Sequence, residues 1–463
     1  MAGDKREGAM VWVLALLSLC AILGIAHMKQ SLELEDAEQA YYSQWWRLGY
    51  DDQPPLFTWL QIALNSLFGL SKFSLALLRG MLFASTIWAL YALGKKLLKD
   101  PAKARLAVLS SALVPVFVDF AFRRLSHTLL LCLVVLLTAL ALARLIERKS
   151  PENYIALGLC LGIGMLTKYN FALFVLALAL SAFLSRELAR VLFSPKILLS
   201  LAMGLLLFSP HAFWLLSQEN LDSIGRHLSV KMGGEMTGIP ILGPLWSSFM
   251  ALVKLAWPLI LVSGVMLLKK VRPIRKDKSS WFFQLFLGQL AVLLLFFVAA
   301  DVKQVETRWL LPLMLPYLVL WTDSLVPRTP KLERWGLALF IGLLGFQLLR
   351  SPVERILGVP SDNQYDYGPL SERLREQFPA EAWVVPNVTY GGQLRLLNSN
   401  RTILGLDDFS VPKAILPKEG AMVLIPSEQD IGPHRPLDRL IGYGPDKDDL
   451  YIYRLMDVRA LFP

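Results

Sequence analysis

The segment between the first two long apolar stretches reads Glu33-Leu34-Glu35-Asp36-Ala37-Glu38-Gln39-Ala40-Tyr41-Tyr42, and it is followed by Gly49-Tyr50-Asp51-Asp52-Gln53-Pro54-Pro55-Leu56. Carboxylates at the edge of a membrane bundle are either solvated surface groups or the working groups of a site. This segment mixes acids with aromatic rings, and its two prolines remove two backbone donors and stop a helix. The combination suits binding of a polar, hydroxyl-rich ligand next to lipid.

Composition places this segment in a membrane protein. The 463 residues are 55% hydrophobic and 18% charged, with a mean hydropathy of +0.48, and a soluble protein this apolar would lack polar surface. Apolar runs long enough to cross a bilayer recur along the chain, and we predict about eleven spans. Their centres are Val11–Ala26, Leu75–Leu90, Leu106–Val118, Thr128–Ala143, Tyr154–Leu166, Phe171–Phe183, Ile197–Leu216, Met250–Leu268, Trp281–Val298, Leu310–Leu325 and Trp335–Leu349.

Basic residues alternate between loops, so the net charge of +10 does not indicate nucleic-acid binding. The basic loops contain 95–105, 144–149, 186–196, 269–278 and 328–334. Because positive loops stay in the cytoplasm, this pattern predicts a cytoplasmic N-terminus, with Glu33–Pro55, Gln218–Trp246 and Asp301–Arg308 outside. The first span lacks a small-residue cleavage site and is predicted to be a retained anchor. Cys20, Cys132 and Cys160 lie in apolar spans and predict packed thiols.

The chain changes character after Leu349, where long apolar runs give way to Pro, Gly, Asp and Asn. We therefore predict a membrane domain over residues 1–349 and a small extracytoplasmic α/β domain over residues 350–463. Short apolar runs at Ala382–Val385 and Ala421–Ile425 predict buried strands. Residues 369–374 predict a helix with Ser371 as its cap.

In this C-terminal domain, the sequence shows no readable chemistry. His434 and the pair Asp407-Asp408 are its most conspicuous polar groups, and we predict that they lie on the surface.

Three motifs resemble one family. Glu35-Asp36-Ala37, Gly49-Tyr50 and Asp52 through Leu56 are similar to the Asp-Glu-Ala and Gly-Tyr-x-Asp-His-Pro-Pro-Leu motifs of bacterial GT-C glycosyltransferases, in the protein-mannosyltransferase-like and aminoarabinose-transferase-like branch. Gly158 to Tyr169 resembles the family's glycine-rich span that ends in Ser/Thr-Lys-Tyr. A weaker match is Arg308 to Pro312. The resemblance covers about residues 8–349.

The resemblance implies a polytopic helical GT-C fold and transfer of a sugar from a polyprenyl-phosphate carrier to an acceptor hydroxyl, typically with inversion. A hydroxyl is a poor nucleophile and needs a carboxylate to take its proton. We predict Asp36 as this base, with Glu35 and Glu38 orienting donor or acceptor. The family has Asp-Glu where this chain has Glu35-Asp36, so the choice within the pair stays open.

The leaving phosphate needs cationic groups. We predict Lys168 first and Arg308 next, then the pair Arg123-Arg124 on an outer loop. Further candidates are Arg79 and Lys303. The family often has Asp before Pro-Leu in that outer loop, where this chain offers His127. Predicted sugar contacts come from Tyr41, Tyr42, Tyr50 and Asp52; the rings, with Trp45 and Trp46, otherwise fit an interfacial aromatic belt. His127 and His211 are either ligands or interface residues.

The predicted partners are a polyprenyl-phosphate sugar, membrane lipid and an acceptor that is lipid A, core oligosaccharide, another glycan or a protein. No cofactor is predicted to be required, and no metal-binding motif is evident. The predicted location is the bacterial inner membrane, with the active site on the periplasmic side.

The main alternative is a transporter or flippase, which would place ionisable residues in mid-span and repeat its halves. A non-catalytic assembly or sensor protein and an oligosaccharide ligase are further alternatives. The spans of this chain are almost free of charge, and no repeat is evident, which favours the glycosyltransferase.

Overall fold

A computed structural model describes residues 8–124, 126–217, 220–226, 233, 242–268, 280–327, 329–359, 364–379, 382–417, 421–426, 436–443, 448–455 and 461–462. His434, the basic loop 269–278, Arg328 and most of the loop Gln218–Trp246 lie outside these residues. The predictions made for those groups therefore stay predictions.

Helices dominate the chain as far as residue 356. They are α1 Ala9–Met28, α2 Leu34–Tyr42, α3 Leu56–Phe68, α4 Lys72–Leu98, α5 Pro101–Ser110, α6 Pro115–Arg123, α7 His127–Glu147, α8 Pro151–Met165, α9 Phe171–Leu184, α10 Arg186–Leu192, α11 Ile197–Leu215, α12 Leu242–Leu268, α13 Ser280–Ala299, α14 Thr307–Met314, α15 Leu318–Leu325 and α16 Pro330–Ile356.

Seven of the described helices are long and apolar enough to cross a membrane, or up to nine if each bent pair counts as one span. The bent pairs are α5–α6, which turns by 75° before Pro115, and α9–α10, which turns by 116°. The predicted count of eleven is not confirmed. The helix α8 has 15 residues, and the span predicted over Leu310–Leu325 is divided into α14, a 3₁₀ turn at Leu315–Tyr317 and α15. Pro312 and Pro316 interrupt its helical hydrogen bonding.

The chain forms two compact units. The first contains Met1–Ala21, Asp52–Leu56 and Arg79–Phe346, and the second contains Ile22–Asp51, Phe57–Leu78 and Gln347–Pro463. The sequence predicted a division into residues 1–349 and 350–463, which stays a prediction. It gave no sign that the acidic segment and α3 belong to the same compact unit as the C-terminal residues.

In the first unit, the glycine-rich run of α8 packs closely against α11. A Cβ atom at Gly158 would lie 2.8 Å from the Cα of Ser200, and one at Gly162 would lie 2.8 Å from the Cβ of Leu207. The hydroxyl of Ser200 also donates to the carbonyl of Tyr154 at 2.6 Å. Small residues thus allow the two backbones to approach.

Ion pairs join the ends of several helices in this unit. Lys103 contacts Asp323 at 2.8 Å, and Lys96 pairs with Glu147. Asp100 caps α5 by accepting from the backbone N–H of Ala102. These groups lie in or beside the loops that the charge pattern assigns to the cytoplasm.

The second unit contains a five-stranded mixed sheet in the order β2-β1-β3-β5-β4. Its strands are β1 Ala382–Val385, β2 Ile403–Gly405, β3 Ala421–Pro426, β4 Asp438–Tyr443 and β5 Asp448–Leu455. The strand β1 pairs in parallel with β2 and β3, and the remaining pairs are antiparallel. The two predicted strands are β1 and the first five residues of β3, which confirms the predicted small α/β domain.

Two helices, α17 Gly368–Gln377 and α18 Val388–Leu397, accompany the sheet. Trp383 and Val385 join Leu370 and Leu394 in a core on one face, and Val384 lies in a second core on the other face. Successive side chains of a strand point to opposite faces of the sheet, which explains why neighbouring residues of β1 belong to different cores. The predicted cap Ser371 is wrong, because Tyr367 precedes the helix and Ser371 lies inside it.

Candidate active site

The predicted base lies on a nine-residue helix. Glu35 and Asp36 occupy the first turn of α2, where the partial positive charge of the helix end stabilises carboxylates. The Asp36 side chain belongs to the buried face, whereas Glu35 and Glu38 are half-exposed. Asp36 therefore lies on a different face of this helix from Glu35 and Glu38.

Two tyrosines at the end of α2 pack inside the second unit. The hydroxyl of Tyr41 donates to Asp408 at 3.0 Å, and that of Tyr42 donates to Asp51 at 3.0 Å. Burial, followed by the neighbouring carboxylates, raises the pKa of both tyrosines well above the usual value, so that both hydroxyls keep their protons. Both rings are covered by protein. The structure gives them a packing role, and their predicted contact with a sugar stays a prediction.

Arg47 is the cation of this segment and is buried with Asp408. Its Nη1 donates to the Asp408 carboxylate at 2.8 Å and to the Ser410 hydroxyl at 2.9 Å, and its guanidinium lies over the Trp45 ring. Burial lowers the pKa of Arg47, but the attraction and hydrogen bond of Asp408, together with the neighbouring Tyr41 and Tyr42, outweigh burial and raise this pKa.

Tyr50 closes the loop that follows α2. It donates to the carbonyl of Trp45 at 2.6 Å and accepts from the Arg47 N–H at 2.9 Å. Burial, partly offset by Arg47, raises the pKa of Tyr50 to about 12. Like the other two tyrosines, it is buried, and its predicted substrate role stays a prediction.

Asp51 ends this loop in an unusual backbone conformation. Its φ is 53°, in the left-handed region that L-residues with a Cβ rarely adopt. Its N–H donates to the Ser410 hydroxyl at 2.8 Å, and its carboxylate accepts from Tyr42. These contacts hold the strained residue in place.

A second group of predicted residues lies in the first unit. Lys168 sits in the turn between α8 and α9 and donates to the Thr128 hydroxyl at 3.0 Å. His127, the first residue of α7, is therefore next to the partner of this ammonium. Burial and then the nearby Asp52 carboxylate raise the pKa of Tyr169, which shows that Asp52 lies close to the same turn.

The same turn connects to two further elements. The Tyr169 hydroxyl is 3.2 Å from Nε2 of His211 on α11, and the two rings stack. The side-chain amide of Asn170 donates to the carbonyl of Trp309, the residue after Arg308. Four predicted residues, Asp52, His127, Lys168 and Arg308, are therefore connected through this turn within one unit.

The remaining predicted cations are more dispersed. Arg123 ends α6 and is buried, whereas Arg124 is exposed with its guanidinium over the Phe120 ring at 4.8 Å. Arg79 is buried on α4, and Lys303 is half-exposed before α14. The phosphate-binding roles of these residues stay predictions.

Asp408 was predicted to lie on the surface, and this prediction is wrong. Asp408 is fully buried. Its carboxylate accepts from Arg47, from Tyr41 and from both the N–H and the hydroxyl of Ser410, and these bonds offset the cost of burying its charge. A signal was present in the sequence, since Arg47 is the basic residue within an otherwise acidic and aromatic segment. Asp408 lies 361 positions from Arg47, and the residues around Asp408 in the sequence do not indicate that it is buried.

Among the residues that the structure describes, no cluster of three or more His, Cys, Asp or Glu side chains could hold a metal ion. A cavity of about 1010 Å³ lies among α12, α13, α14 and α15 in the first unit. Its lining is mostly apolar and includes Leu252, Leu259, Phe286 and Leu318.

Known proteins with similar sequences are membrane glycosyltransferases. The sequence profile of the dolichyl-phosphate-mannose-protein mannosyltransferase family matches residues 52–214. Two relatives from Rhizobium johnstonii are lipopolysaccharide core galacturonosyltransferases. RgtB is 29% identical over 316 residues, which are 65% of this chain and 63% of RgtB. RgtA is 28% identical over 432 residues, which are 88% of this chain and 83% of RgtA. The chain thus spans just under two thirds of the first relative.

The crystal structure of ArnT from Cupriavidus metallidurans, bound to undecaprenyl phosphate, has a similar fold. The TM-score is 0.63 with 13% sequence identity, and the match covers 98% of this chain and 99% of ArnT. The chain therefore resembles bacterial GT-C glycosyltransferases in sequence and in fold. The resemblance predicted from the acidic segment and the glycine-rich span is confirmed.

Asp52 is the first residue of the profile match and also the first residue of a segment of the first unit. The profile begins at Asp52 and includes His127 and Lys168, all of which lie in the first unit. Asp36 precedes the matched segment and lies in the second unit. The profile match therefore does not include the predicted base.

Proposed function

We propose that this protein is a membrane glycosyltransferase that moves a sugar from a polyprenyl-phosphate donor to a hydroxyl of an envelope glycan. The observation that carries the proposal is the position of Asp36, a buried carboxylate in the first turn of a helix within the segment that matches the family motif. The relatives named above support the reaction class.

In this proposal, Asp36 removes the proton of the acceptor hydroxyl as the hydroxyl oxygen attacks the anomeric carbon. The bond from that carbon to the phosphate oxygen breaks on the opposite face of the sugar, which gives inversion. Glu35 and Glu38, half-exposed on the same helix, orient the sugars through their hydroxyls. The phosphate leaves with the bonding electron pair.

Lys168 and Arg308 stabilise the charge that develops on this phosphate. A partly desolvated ammonium acts more strongly on an oxyanion than one in water. Lys168 is half-buried at the turn between α8 and α9, and Arg308 begins the segment that contacts the same turn. Arg123 and Arg124 are secondary candidates for the same role. We propose that the transfer needs no divalent metal.

The activity of these two relatives indicates a class of acceptor and a class of sugar. Both are lipopolysaccharide core galacturonosyltransferases, so we propose a lipopolysaccharide core sugar as acceptor and a hexuronic acid as the transferred group. We further propose that the protein lies in the inner membrane, with α2 and the C-terminal sheet on the periplasmic side. The charge pattern of the loops supports this orientation.

Mass spectrometry of the core oligosaccharide tests the proposal. A deletion strain and an Asp36→Asn strain should lose the same mass, because the substitution keeps the shape of the side chain and removes the base. Asp366→Asn is the matched control, since Asp366 is exposed and its side chain accepts from the N–H of Gly368. An unchanged core in the deletion strain would reject the proposed acceptor.

Purified protein with radiolabelled lipid-linked sugar separates transfer from transport. A glycosyltransferase transfers the label to acceptor glycan, whereas a flippase moves the lipid across liposomes and forms no new glycosidic bond. Flux without transfer would contradict the proposed activity.

A further inference from the structure

The C-terminal α/β domain contacts the helix that carries Asp36 unusually closely. Gly391 and Gly392 of α18 face α2 without side chains between the two backbones. A Cβ atom at Gly391 would lie 2.6 Å from the Tyr41 ring, and one at Gly392 would overlap the carbonyl of Ala37. Ala37 is the residue after Asp36, so α18 limits the position of the backbone that carries the predicted base.

Both ends of α2 are also held by paired hydrogen bonds. Before the helix, the side-chain amide of Gln393 accepts from the N–H of Leu32 at 2.9 Å and donates to its carbonyl at 2.8 Å. After the helix, the amide of Gln44 donates to the carbonyl of Ile403 at 3.0 Å and accepts from its N–H at 3.1 Å. Two bonds to one residue fix a direction as well as a distance.

A buried polar cluster adds a third attachment. Asp408 accepts from Tyr41 at the end of α2 and from Arg47 in the following loop, at 3.0 Å and 2.8 Å. The hydroxyl of Tyr41 also accepts from the N–H of Gly405 at the end of β2, at 3.0 Å. The cluster therefore connects the C-terminal end of α2 to the sheet.

We infer that the C-terminal domain sets the rotation of α2 and thereby selects Asp36, rather than Glu35, as the carboxylate presented to the acceptor. This inference rests on the proposed function. Consecutive residues of a helix point about 100° apart, so a rotation by one position would exchange the two carboxylates. An apolar contact would hold α2 without fixing its rotation, whereas directional bonds at both ends and the close contact at Gly392 resist turning.

Gly392, Gln393, Gln44 and Asp408 are therefore positioning residues for the reaction. Gln393→Met is the sharpest variant, because the methionine has a similar size and removes both bonds to Leu32. We expect roughly a 10²-fold loss of kcat, as for other displacements of a reacting group by about 1 Å, with KM little changed. Gln393→Glu keeps the acceptor for the N–H of Leu32 and should restore part of the activity.

A second readout does not depend on catalysis. Leu34, the first residue of α2, is 50% exposed and accepts a nitroxide label after substitution to cysteine, in a background without Cys20, Cys132 and Cys160. In purified full-length protein, the label should be immobile. Gln393→Met should mobilise it, whereas Asp36→Asn should abolish transfer and leave it immobile.

The matched control for the close contact is Gly345→Ala. Gly345 lies within α16 and would have no atom within 4 Å of an added Cβ, unlike Gly392. Gly392→Ala should mobilise the label and lower kcat, and Gly345→Ala should do neither. If Gln393→Met and the unsubstituted protein have equal thermal midpoints, a loss of kcat reflects the position of α2 and not unfolding. If Gly392→Ala unfolds, the result for Gln393→Met alone tests the inference.

The outcomes distinguish the two claims. An immobile label in Gln393→Met, or a mobile label with unchanged kcat, would overturn the inference while leaving the glycosyltransferase in place. If the unsubstituted protein transfers no sugar, the proposed function fails. In that case, the mobility measurement still decides whether the C-terminal domain holds α2.

Discussion

The buried pair Arg47–Asp408 gives a prediction whose size can be worked out from the structure. The two side chains are 4% and 0% exposed, and the Nη1 of Arg47 lies 2.8 Å from Oδ2 of Asp408. Asp408→Asn keeps the shape and a carbonyl acceptor but leaves the guanidinium charge buried without its counter-ion. Breaking a buried pair in this way destabilises a fold by about 3–5 kcal/mol.

The partner substitution should be milder. Arg47→Met leaves the carboxylate with three donors, from Tyr41 and from the N–H and hydroxyl of Ser410. Hydrogen bonds to a charged group contribute about 1.5–3 kcal/mol each, so that the carboxylate retains most of its compensation. The double variant Arg47→Met with Asp408→Asn lacks both charges of this pair. We therefore expect it to be more stable than Asp408→Asn alone.

Hydrogen exchange followed by mass spectrometry measures these differences in the full-length protein. Amides of β1 and α18 report the opening free energy of the sheet domain. Asp408→Asn should accelerate their exchange between about 10² and 10⁴-fold, and the double variant should reverse part of this increase. Equal acceleration in the single and double variants would refute the reasoning, because it would show that the charge itself is not the destabilising element.

Four further predictions follow from the proposed function and topology. Glu35→Gln should reduce turnover less than Asp36→Asn, and the reverse order would move the base to Glu35. Lys168→Ala should lower turnover of lipid-linked donor by roughly 10²-fold with folding intact, as for loss of another charge-stabilising group, and Lys168→Arg should retain more; equal losses would argue against a simple charge role. Reporters fused after Leu349 and at Lys276 should lie on the periplasmic and cytoplasmic sides respectively; both on one side would contradict the topology. Treatment with EDTA should leave transfer unchanged, whereas a loss that Mg²⁺ or Mn²⁺ restores would show metal dependence.

The sequence predicted the membrane class and most helices, because apolar length and loop charge are local properties. It located α8 correctly but took its 15 residues for a span. It missed α3 as a separate helix, since Leu56–Phe68 is shorter than a span and follows directly on Pro54-Pro55. The bends before Pro115 and between α9 and α10 depend on how a broken helix packs, which a hydropathy average does not record.

The candidate site was predictable to the same extent. Asp36, Asp52 and Lys168 could be proposed as site residues because each lies in a short motif, and their roles stay predictions. Asp408 was missed because its environment is created by Arg47, which is distant in sequence and near only after folding. Charged residues mostly lie on the protein surface, and a charged residue is usually buried only when a group of opposite charge pairs with it.

The contacts of α2 give a physical reason for the order of the acidic pair. The resemblance alone leaves Glu35 and Asp36 as equal candidates, since either carboxylate has the chemistry of a base. The two carboxylates differ in burial, because Asp36 lies on the same helix face as Gln39 and Ala40 and is buried, whereas Glu35 is half-exposed. A shorter side chain on a fixed helix has fewer rotamers and a better-defined oxygen position than a longer, half-exposed one. A base that must approach one hydroxyl acts best when the position of its oxygen is well defined. The rigid attachment of α2 therefore favours the proposal that Asp36 is the base.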